Sequence, residues 1–235
     1  MKIKSVLFNI DNTLYNASLQ IENARLNAIR AMIEAGLPVD IENGYRILKK
    51  VVEEYGEDYP NHFNKLLEKM GLKWNPHVIA AGVVAFRETN LAFLKPYPDT
   101  IKTLLKLRES GYKLGVISDG RIIKQWQKLI QLRIQHFFDT VVISEEYECK
   151  KLTSKLFDVC LYAMNTKAEE AIFIGDDIET DIKSANESNV TSIRIRKGES
   201  RLIEPKTKRS KAKYEITKLS EIFELLDLIN SSTSK

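Results

Sequence analysis

Hydrophobic residues follow two different patterns along the chain. Short runs that are apolar at nearly every position, with many β-branched residues, occur at 3–9, 112–118, 139–144, 170–175 and 190–195. Strands that are buried on both faces of a parallel sheet have this composition. Apolar residues at helical spacing fill the stretches 99–110, 121–132, 153–165 and 178–188. Strands that alternate with helices predict an α/β fold built on a doubly wound, Rossmann-like parallel sheet.

Residues 16–94 interrupt this alternation, because their apolar positions follow helical spacing throughout. Signals at helix ends divide the segment into four amphipathic helices. These signals are Gly36 and Pro38 after the first helix, Asp40 and Gly56 around the second, Gly71 after the third, and Asn75 with Pro76 at the start of the fourth. Four helices joined by short loops predict a small bundle.

The two patterns predict two domains. An α/β core domain would consist of residues 1–15 and 95–230, and a helical cap domain would be inserted at 16–94. Residues 231–235 are expected to form a flexible tail. A chain of 235 residues with 43% hydrophobic content is long enough for one full core and an accessory domain.

Composition excludes several classes of protein. No apolar run approaches the ~20 residues of a membrane span, and the N-terminus lacks the apolar region of a signal peptide, so we expect a cytoplasmic protein with no membrane partner. Cys149 and Cys160 are too few for a disulfide framework and are expected to be reduced thiols.

Positive charge is concentrated in one segment. The net charge is +4, and residues 194–213 hold nine Lys or Arg against two Glu, which gives a local charge of +7. This segment lacks interleaved aromatic residues and any recognised binding module. A solvated loop is therefore favoured over a surface that binds nucleic acid or an acidic protein.

Polar residues suited to phosphate chemistry follow three of the predicted strands and precede one helix. They are Asn9, Asp11 and Thr13 after the first strand; Ser118, Asp119 and Gly120 after the second; Lys150 and Lys151 before the helix at 153–165; and Gly175, Asp176, Asp177 and Asp181 after the fourth. Ligands of open α/β sheets bind at the carboxyl ends of the strands. We therefore expect these segments to converge on one site.

In this order and spacing the four segments resemble the motifs of the haloacid dehalogenase-like (HAD) superfamily, in its branch of phosphohydrolases with a helical cap after the first strand. The first motif of that family, Asp-x-Asp-x-Thr, corresponds here to Asn9-Ile10-Asp11-Asn12-Thr13. The remaining motifs correspond to Ser118, to Lys151 in preference to Lys150, and to Gly175-Asp176-Asp177 with Asp181. The similarity covers roughly residues 1–225.

The resemblance implies Mg²⁺-dependent hydrolysis of a small phosphorylated metabolite. The implied metal ligands are the side chain of Asn9, the backbone carbonyl of Asp11 and the carboxylate of Asp176, with Asp177 and Asp181 in support. The implied phosphate-binding residues are Thr13, Ser118, Asp119, Gly120 and Lys151. Asp11 would protonate the leaving alcohol and then activate the hydrolytic water.

One position departs from the family pattern, because Asn9 stands where the family has its nucleophilic Asp. An amide has no ionised oxygen and cannot form the acyl-phosphate intermediate, so the phosphatase is expected to be weak or inactive. The change could be an engineered trap or a natural loss of turnover. Further departures favour natural loss: Leu152-Thr153-Ser154 replaces the usual Pro-x-Pro, and Ser184 and Asn189 stand where Gly is usual.

Two other functions remain open on the same fold. One is a non-catalytic phosphate-binding or regulatory protein. The other is a 2-haloacid dehalogenase-like hydrolase, a weaker match because those enzymes need no metal. An archaeal-type triose-phosphate or glycolate-phosphate phosphatase is the substrate hypothesis, and the sequence leaves monomer and homodimer equally open.

Overall fold

The computed structural model describes residues 2–149 and 152–232. Its strands are β1 (Ser5–Phe8), β2 (Lys113–Ser118), β3 (Thr140–Ile143), β4 (Ala171–Gly175), β5 (Thr191–Ile195) and β6 (Tyr214–Ile216). Its α-helices are α1 (Ala17–Glu34), α2 (Ile41–Tyr55), α3 (His62–Lys69), α4 (Pro76–Phe93), α5 (Thr100–Glu109), α6 (Ile122–Gln131), α7 (Ser154–Ala163), α8 (Lys183–Glu187) and α9 (Ile222–Ser232).

The strands form one parallel sheet in the order β3-β2-β1-β4-β5-β6. In the register of the central strands, Val6 of β1 is paired with Leu114 of β2 and with Ile172 of β4. The predicted doubly wound parallel sheet is therefore confirmed. Strand β6 and helix α9 were not predicted; β6 pairs with β5 and extends the sheet, and α9 packs in the core cluster that contains Val6 and Phe8.

Alternating side chains of the strands fill two cores. Val6 and Phe8 of β1 belong to a core cluster that includes residues of α5, α6 and α9, whereas Leu7 belongs to a cluster that includes residues of α7 and α8. All three side chains are fully buried. Burial on both faces explains why the strand sequences are apolar at consecutive positions.

Helices α1 to α4 lie in a second compact unit, Ser18–Phe93, while the sheet and the other helices belong to the unit made of residues up to Ala17 and from Leu94 onward. The helical unit has its own core around Ile29, Met32 and Leu66. Its predicted helix caps are present: Asp40 accepts a hydrogen bond from the backbone N–H of Asn43 at 2.9 Å, and Asn75 accepts one from Val78 at 3.3 Å.

Two predicted segments differ in detail. The helix predicted at 178–188 begins as a π-helical turn, Ile178–Ile182, and continues as α8. Residues 231 and 232 of the predicted tail belong to the last turn of α9, and 233–235 lie outside the described residues. In the described part of the chain, no helix has the length and apolar character needed to cross a bilayer.

Candidate active site

The predicted site residues surround the carboxyl end of β1. This strand lies between β2 and β4, at the point where the winding of the chain reverses direction, which is the usual ligand position in open α/β sheets. Asn9 directly follows β1, Ser118 ends β2, and Asp176 directly follows β4. The topology therefore brings three of the four motif segments to one edge of the sheet.

Asn9 connects all three of these segments through its amide group. Its Oδ1 accepts hydrogen bonds from the backbone N–H of Ile10 at 2.7 Å and from the hydroxyl of Ser118 at 3.2 Å. Its Nδ2 donates to Oδ2 of Asp181 at 3.0 Å. The expected convergence of the first, second and fourth motifs is thus present in the structure. Lys151 and its neighbour Lys150 lie outside the described residues.

Asp181 is the buried anchor of the fourth motif. Its Oδ2 also accepts from the backbone N–H groups of Asp176 at 3.0 Å and Asp177 at 3.3 Å. Burial raises the pKa of Asp181 well above its ordinary value, and the nearby charge of Asp176 adds to the increase. The close fit depends on Gly175, because a Cβ there would lie 2.4 Å from Oδ2 of Asp181.

Asp177 caps the helical turn that follows it. One carboxylate oxygen accepts from the backbone N–H groups of Glu179 and Thr180, each at 2.8 Å. This geometry is that of an N-cap residue. It gives Asp177 a clear structural task beside the support of a metal-bound water or Lys151 that the resemblance implies.

Asp176 is nearly buried and sits in an acidic environment. Burial raises its pKa to about 7, against hydrogen bonds from Ser200 and Asn12 that lower it, and the charges of Asp177 and Asp11 raise it further. The Ser200 hydroxyl lies 2.9 Å from Oδ2 of Asp176. Ser200 follows β5 in the segment that the sequence analysis treated as a solvated loop, so its contact with the site was not predicted.

Asp11 has two partners that the motifs do not indicate. Lys128 of α6 donates to both carboxylate oxygens at 2.7 Å, and the Tyr15 hydroxyl donates to Oδ1 at 2.6 Å. The sequence does contain a signal for Lys128, because this residue shares the inward face of the predicted helix with Gln125 and Leu129.

The loop after β2 is held by contacts within the core domain. The backbone N–H of Gly120 donates to the Ser144 hydroxyl at 3.0 Å, and that hydroxyl in turn donates to the Asp119 carboxylate. Gly120 has a φ of +122°, which favours glycine. At the start of α6 the N–H of Ile122 donates to Glu145 at 2.7 Å. The backbone N–H of Ile122 at the start of α6 therefore already has an acidic partner.

Thr13 and Asn12 complete the first loop. Thr13 is fully buried, and its hydroxyl makes no hydrogen bond within the described structure. Asn12 adopts the left-handed conformation with a φ of 54°. A Cβ at Gly198 would lie 2.5 Å from Cγ of Asn12, so the segment after β5 packs directly against this loop.

The oxygen donors at this edge fit a magnesium ion. Mg²⁺ prefers oxygen ligands and usually keeps several waters, so one carboxylate and a carbonyl are a sufficient protein contribution. Burial raises the pKa of Asp176 and the charges of Asp177 and Asp11 raise it further, so a divalent cation bound beside this carboxyl would favour its ionised form. Oδ1 of Asn9 already accepts two hydrogen bonds, which use both lone pairs of an amide oxygen. Within the described residues, no three His, Cys, Asp or Glu side chains form a metal-binding group.

Comparison with known proteins identifies the class. A family model described as haloacid dehalogenase-like hydrolase matches residues 6–195, and the chain belongs to this family. The resemblance drawn from the four motifs is therefore confirmed.

Several relatives with high sequence identity to this chain are named phosphatases. The chain is 46% identical to glyceraldehyde 3-phosphate phosphatase of Methanopyrus kandleri, over 95% of this chain and 97% of the relative. It is 41% identical to the enzyme of the same name from Methanocaldococcus jannaschii, over 97% and 98%. The relatives at this level of identity are thus phosphatases of a small phosphorylated sugar.

Solved structures support the fold. A HAD phosphatase from Thermococcus onnurineus matches with a TM-score of 0.65 and 24% identity, over 95% of this chain and 98% of that one. The HAD-hydrolase YfnB from Bacillus subtilis, bound to magnesium, matches with a TM-score of 0.68 and 19% identity, over 97% and 100%.

Proposed function

We propose that this chain is a Mg²⁺-dependent phosphohydrolase scaffold for a small phosphorylated sugar of the triose-phosphate type, with turnover weakened or abolished by Asn9. The observation that carries the proposal is the three-way contact of Asn9 with Ser118 and Asp181 at the end of β1. The site is assembled around the position of the nucleophile. The relatives named glyceraldehyde 3-phosphate phosphatase support the substrate class.

The remaining residues take the following parts in this proposal. Asp11 carries the proton to the leaving oxygen and later receives one from water. Ser118, Thr13 and the backbone N–H of Asp119 orient the phosphoryl oxygens, joined by the N–H of Gly120 once it gives up Ser144, and Lys151 neutralises their charge. The carboxylate of Asp176 and the carbonyl of Asp11 would hold Mg²⁺, joined by Asn9 once its amide oxygen gives up a present partner. The ion would supply charge stabilisation for the transferring phosphoryl group.

Asn9 changes this site in two ways. Its amide lacks the ionised oxygen needed to attack phosphorus, so no acyl phosphate can form at this position. It also removes one negative charge beside Asp181, whose Oδ2 lies 3.0 Å from the amide nitrogen. Asn has nearly the same shape as Asp, so the substitution preserves the shape of the site while it removes the reacting oxygen and one negative charge.

We assign the helical unit Ser18–Phe93 the part of a cap, since it is inserted in the chain directly after β1 and the loop that follows it. Closure of such a unit would exclude water and select the sugar portion of the substrate.

Cys149 and Cys160 are both free thiols, which suits the reducing cytoplasm in which we place the protein.

The substitution Asn9→Asp tests the proposal. With Mg²⁺ present, we expect the variant to hydrolyse glyceraldehyde 3-phosphate and para-nitrophenyl phosphate at least about 10²-fold faster than the unmodified chain, because a nucleophile is restored to an otherwise complete site. Release of inorganic phosphate measures the rate. Asn165→Asp is the matched control, since it makes the same change at an exposed position of the core domain.

The same experiment separates the non-catalytic alternative. If Asn9→Asp stays inactive with both substrates while calorimetry detects glyceraldehyde 3-phosphate binding to the unmodified chain, a phosphate-ligand sensor replaces the enzyme. The hydrogen bonds of Asn9 favour the phosphate-ligand sensor, because the oxygen and the nitrogen of its side-chain amide both already have partners.

A further inference from the structure

Lys128 reaches the site from the inward face of α6, and its neighbours on that helix are firmly placed. Gln125, one turn earlier, donates to the carbonyl of Asp119 at 2.6 Å. Leu129 is fully buried in the core on the same side of the sheet as Val6 and Phe8. The helix is therefore anchored on both sides of Lys128, which directs the lysine side chain to the loop after β1.

The contacts of Lys128 with Asp11 fix the orientation of the carboxylate. The ammonium nitrogen lies 2.7 Å from each carboxylate oxygen, and the hydroxyl of Tyr15 donates to Oδ1. Tyr15 is 1% exposed, and its backbone forms bridges with Asp11 and Pro96. Burial, with the Asp11 charge, raises the pKa of Tyr15 far above its ordinary value, so the hydroxyl remains a donor.

The pair is accessible to a substrate. The side chain of Lys128 is 25% exposed and that of Asp11 is 34% exposed, whereas Tyr15 is enclosed. Tyr15 therefore holds Oδ1 from an enclosed position, and the partly exposed Lys128 binds both carboxylate oxygens. The orientation of the Asp11 carboxylate is therefore fixed before a leaving oxygen or a water approaches it.

We propose that Lys128 is a positioning residue for Asp11. This inference rests on the phosphatase reaction proposed above and adds a residue outside the four motifs. By binding the Asp11 carboxylate together with Tyr15, Lys128 sets the orientation in which Asp11 exchanges protons with the substrate and with water. Misplacement of a reacting group by about 1 Å can cost 10²-fold in rate, so loss of this contact has a kinetic effect.

Asp11 takes part in two proton transfers when position 9 carries a carboxylate. In the first step that carboxylate bonds to phosphorus, the bond between phosphorus and the sugar oxygen breaks, and the sugar oxygen takes the proton of Asp11. In the second step water bonds to phosphorus, the acyl-phosphate bond breaks, and one proton of the water passes to Asp11. The first transfer matters for an alkyl leaving group and far less for an aryl one, whose oxygen departs readily as an anion.

The test therefore compares two substrates in the Asn9→Asp background. Lys128→Met removes the ammonium and keeps a flexible apolar side chain of similar reach, and Lys128→Arg keeps the charge. Lys124→Met is the matched control, because Lys124 is an exposed lysine one turn earlier on α6. The value of kcat/KM is measured with glyceraldehyde 3-phosphate and with para-nitrophenyl phosphate, and thermal melting verifies the fold of each variant.

We expect Lys128→Met to lower kcat/KM for glyceraldehyde 3-phosphate by about tenfold or more, a part of the 10²–10⁴ that general acid–base catalysis supplies. The value for para-nitrophenyl phosphate should change by less than about twofold, while its kcat and KM fall together because the second step becomes slow. Lys128→Arg should restore most of the loss, and Lys124→Met should leave both substrates unaffected.

Other results overturn the inference in distinguishable ways. An equal loss of kcat/KM with both substrates assigns Lys128 a structural role only, and no loss with either removes any role in the reaction. A lack of turnover in Asn9→Asp alone, before any change at Lys128, overturns the proposed function and the inference with it.

Discussion

The side-chain amide of Asn9 determines the charge next to Asp181, because one nitrogen stands where an Asp would have an oxygen. The amide nitrogen of Asn9 donates to a carboxylate that is itself fully buried. A carboxylate at position 9 would bring two acidic oxygens to about the same separation, and each would disfavour ionisation of the other. The amide therefore avoids a like-charge contact at the position to which we assign the nucleophile in the proposed reaction.

A substitution at Gly175 tests how rigidly Asp181 is held. A Cβ at this position would lie 2.4 Å from Oδ2 and 2.6 Å from Cβ of Asp181, whose Oδ2 accepts three hydrogen bonds and cannot move aside easily. We expect Gly175→Ala to lower the free energy of unfolding by about 1–3 kcal/mol, as overpacking does in buried sites. Urea unfolding, followed by circular dichroism, measures the change.

Gly115→Ala is the matched comparison, because it adds the same methyl group to β2, another strand of the same sheet. Its Cβ would approach Cδ2 of Leu7 and Sδ of Met164, each at 2.8 Å, and both atoms are near the ends of flexible side chains. A smaller loss of stability is expected there. An equal or larger loss in Gly115→Ala would contradict the view that the rigid Asp181 determines the cost at Gly175.

Two arginines of β5 and its end, Arg194 and Arg196, hold the segment that follows this strand in place. Arg194 is 1% exposed and donates to the carbonyls of Ser200 and Ile203, each at 2.7 Å. Arg196 pairs with Glu204 and Glu215. Two of the nine basic residues between 194 and 213 thus serve the folding of this segment, which in turn places Ser200 against Asp176.

Removal of the Arg194 guanidinium should therefore destabilise the core domain. Arg194→Met leaves the Ser200 and Ile203 carbonyls without their donor, at a cost of about 1–3 kcal/mol for each orphaned group. The free energy of unfolding in urea measures the loss, and Arg201→Met, at an exposed arginine of the same segment, should change it by less than about 0.5 kcal/mol. Similar effects of the two substitutions would show that Arg194 is not structural.

The elements also indicate what a single sequence reveals. Strands β1 to β5 and helices α1 to α8 were predictable, because each carries a local pattern of apolar residues or a cap such as Asp40. Strand β6 has only three residues and pairs with β5 alone, so its position depends on tertiary contacts that no local pattern records. Ser200 was missed for the same reason, since its contact is with Asp176, more than 20 positions away, whereas Lys128 was missed although its place on the inward face of α6 was a signal in the sequence.

For the whole molecule, the dominant electrostatic feature is the contrast between an acidic site and a basic segment. Net charge is +4, yet Asp11, Asp176, Asp177 and Asp181 gather at one sheet edge. Burial of Asp176 and Asp181 raises the pKa of both carboxyls. The stability of the fold is therefore coupled to pH and to any cation that binds at that edge.

The direction of the pH dependence follows from Asp176. Its pKa is about 7 in the folded chain and 3.8 ordinarily, so the folded state retains a proton that the unfolded state has lost. The resulting stabilisation is complete below the ordinary pKa and is lost as pH rises to about 7. Between about pH 5.5 and about pH 8 the contribution of Asp176 to the free energy of unfolding should fall by roughly 2 kcal/mol, and Asp176→Asn should lack this decrease.

Urea unfolding of both chains at the two pH values, with a chelator present, measures the difference directly. Added Mg²⁺ should restore stability to the unmodified chain at the higher pH, where Asp176 is ionised and can bind the ion, and should have less effect at the lower pH, where protons compete. Asp176→Asn should respond weakly at both. If the two chains lose stability in parallel as pH rises, Asp176 is not the titrating group.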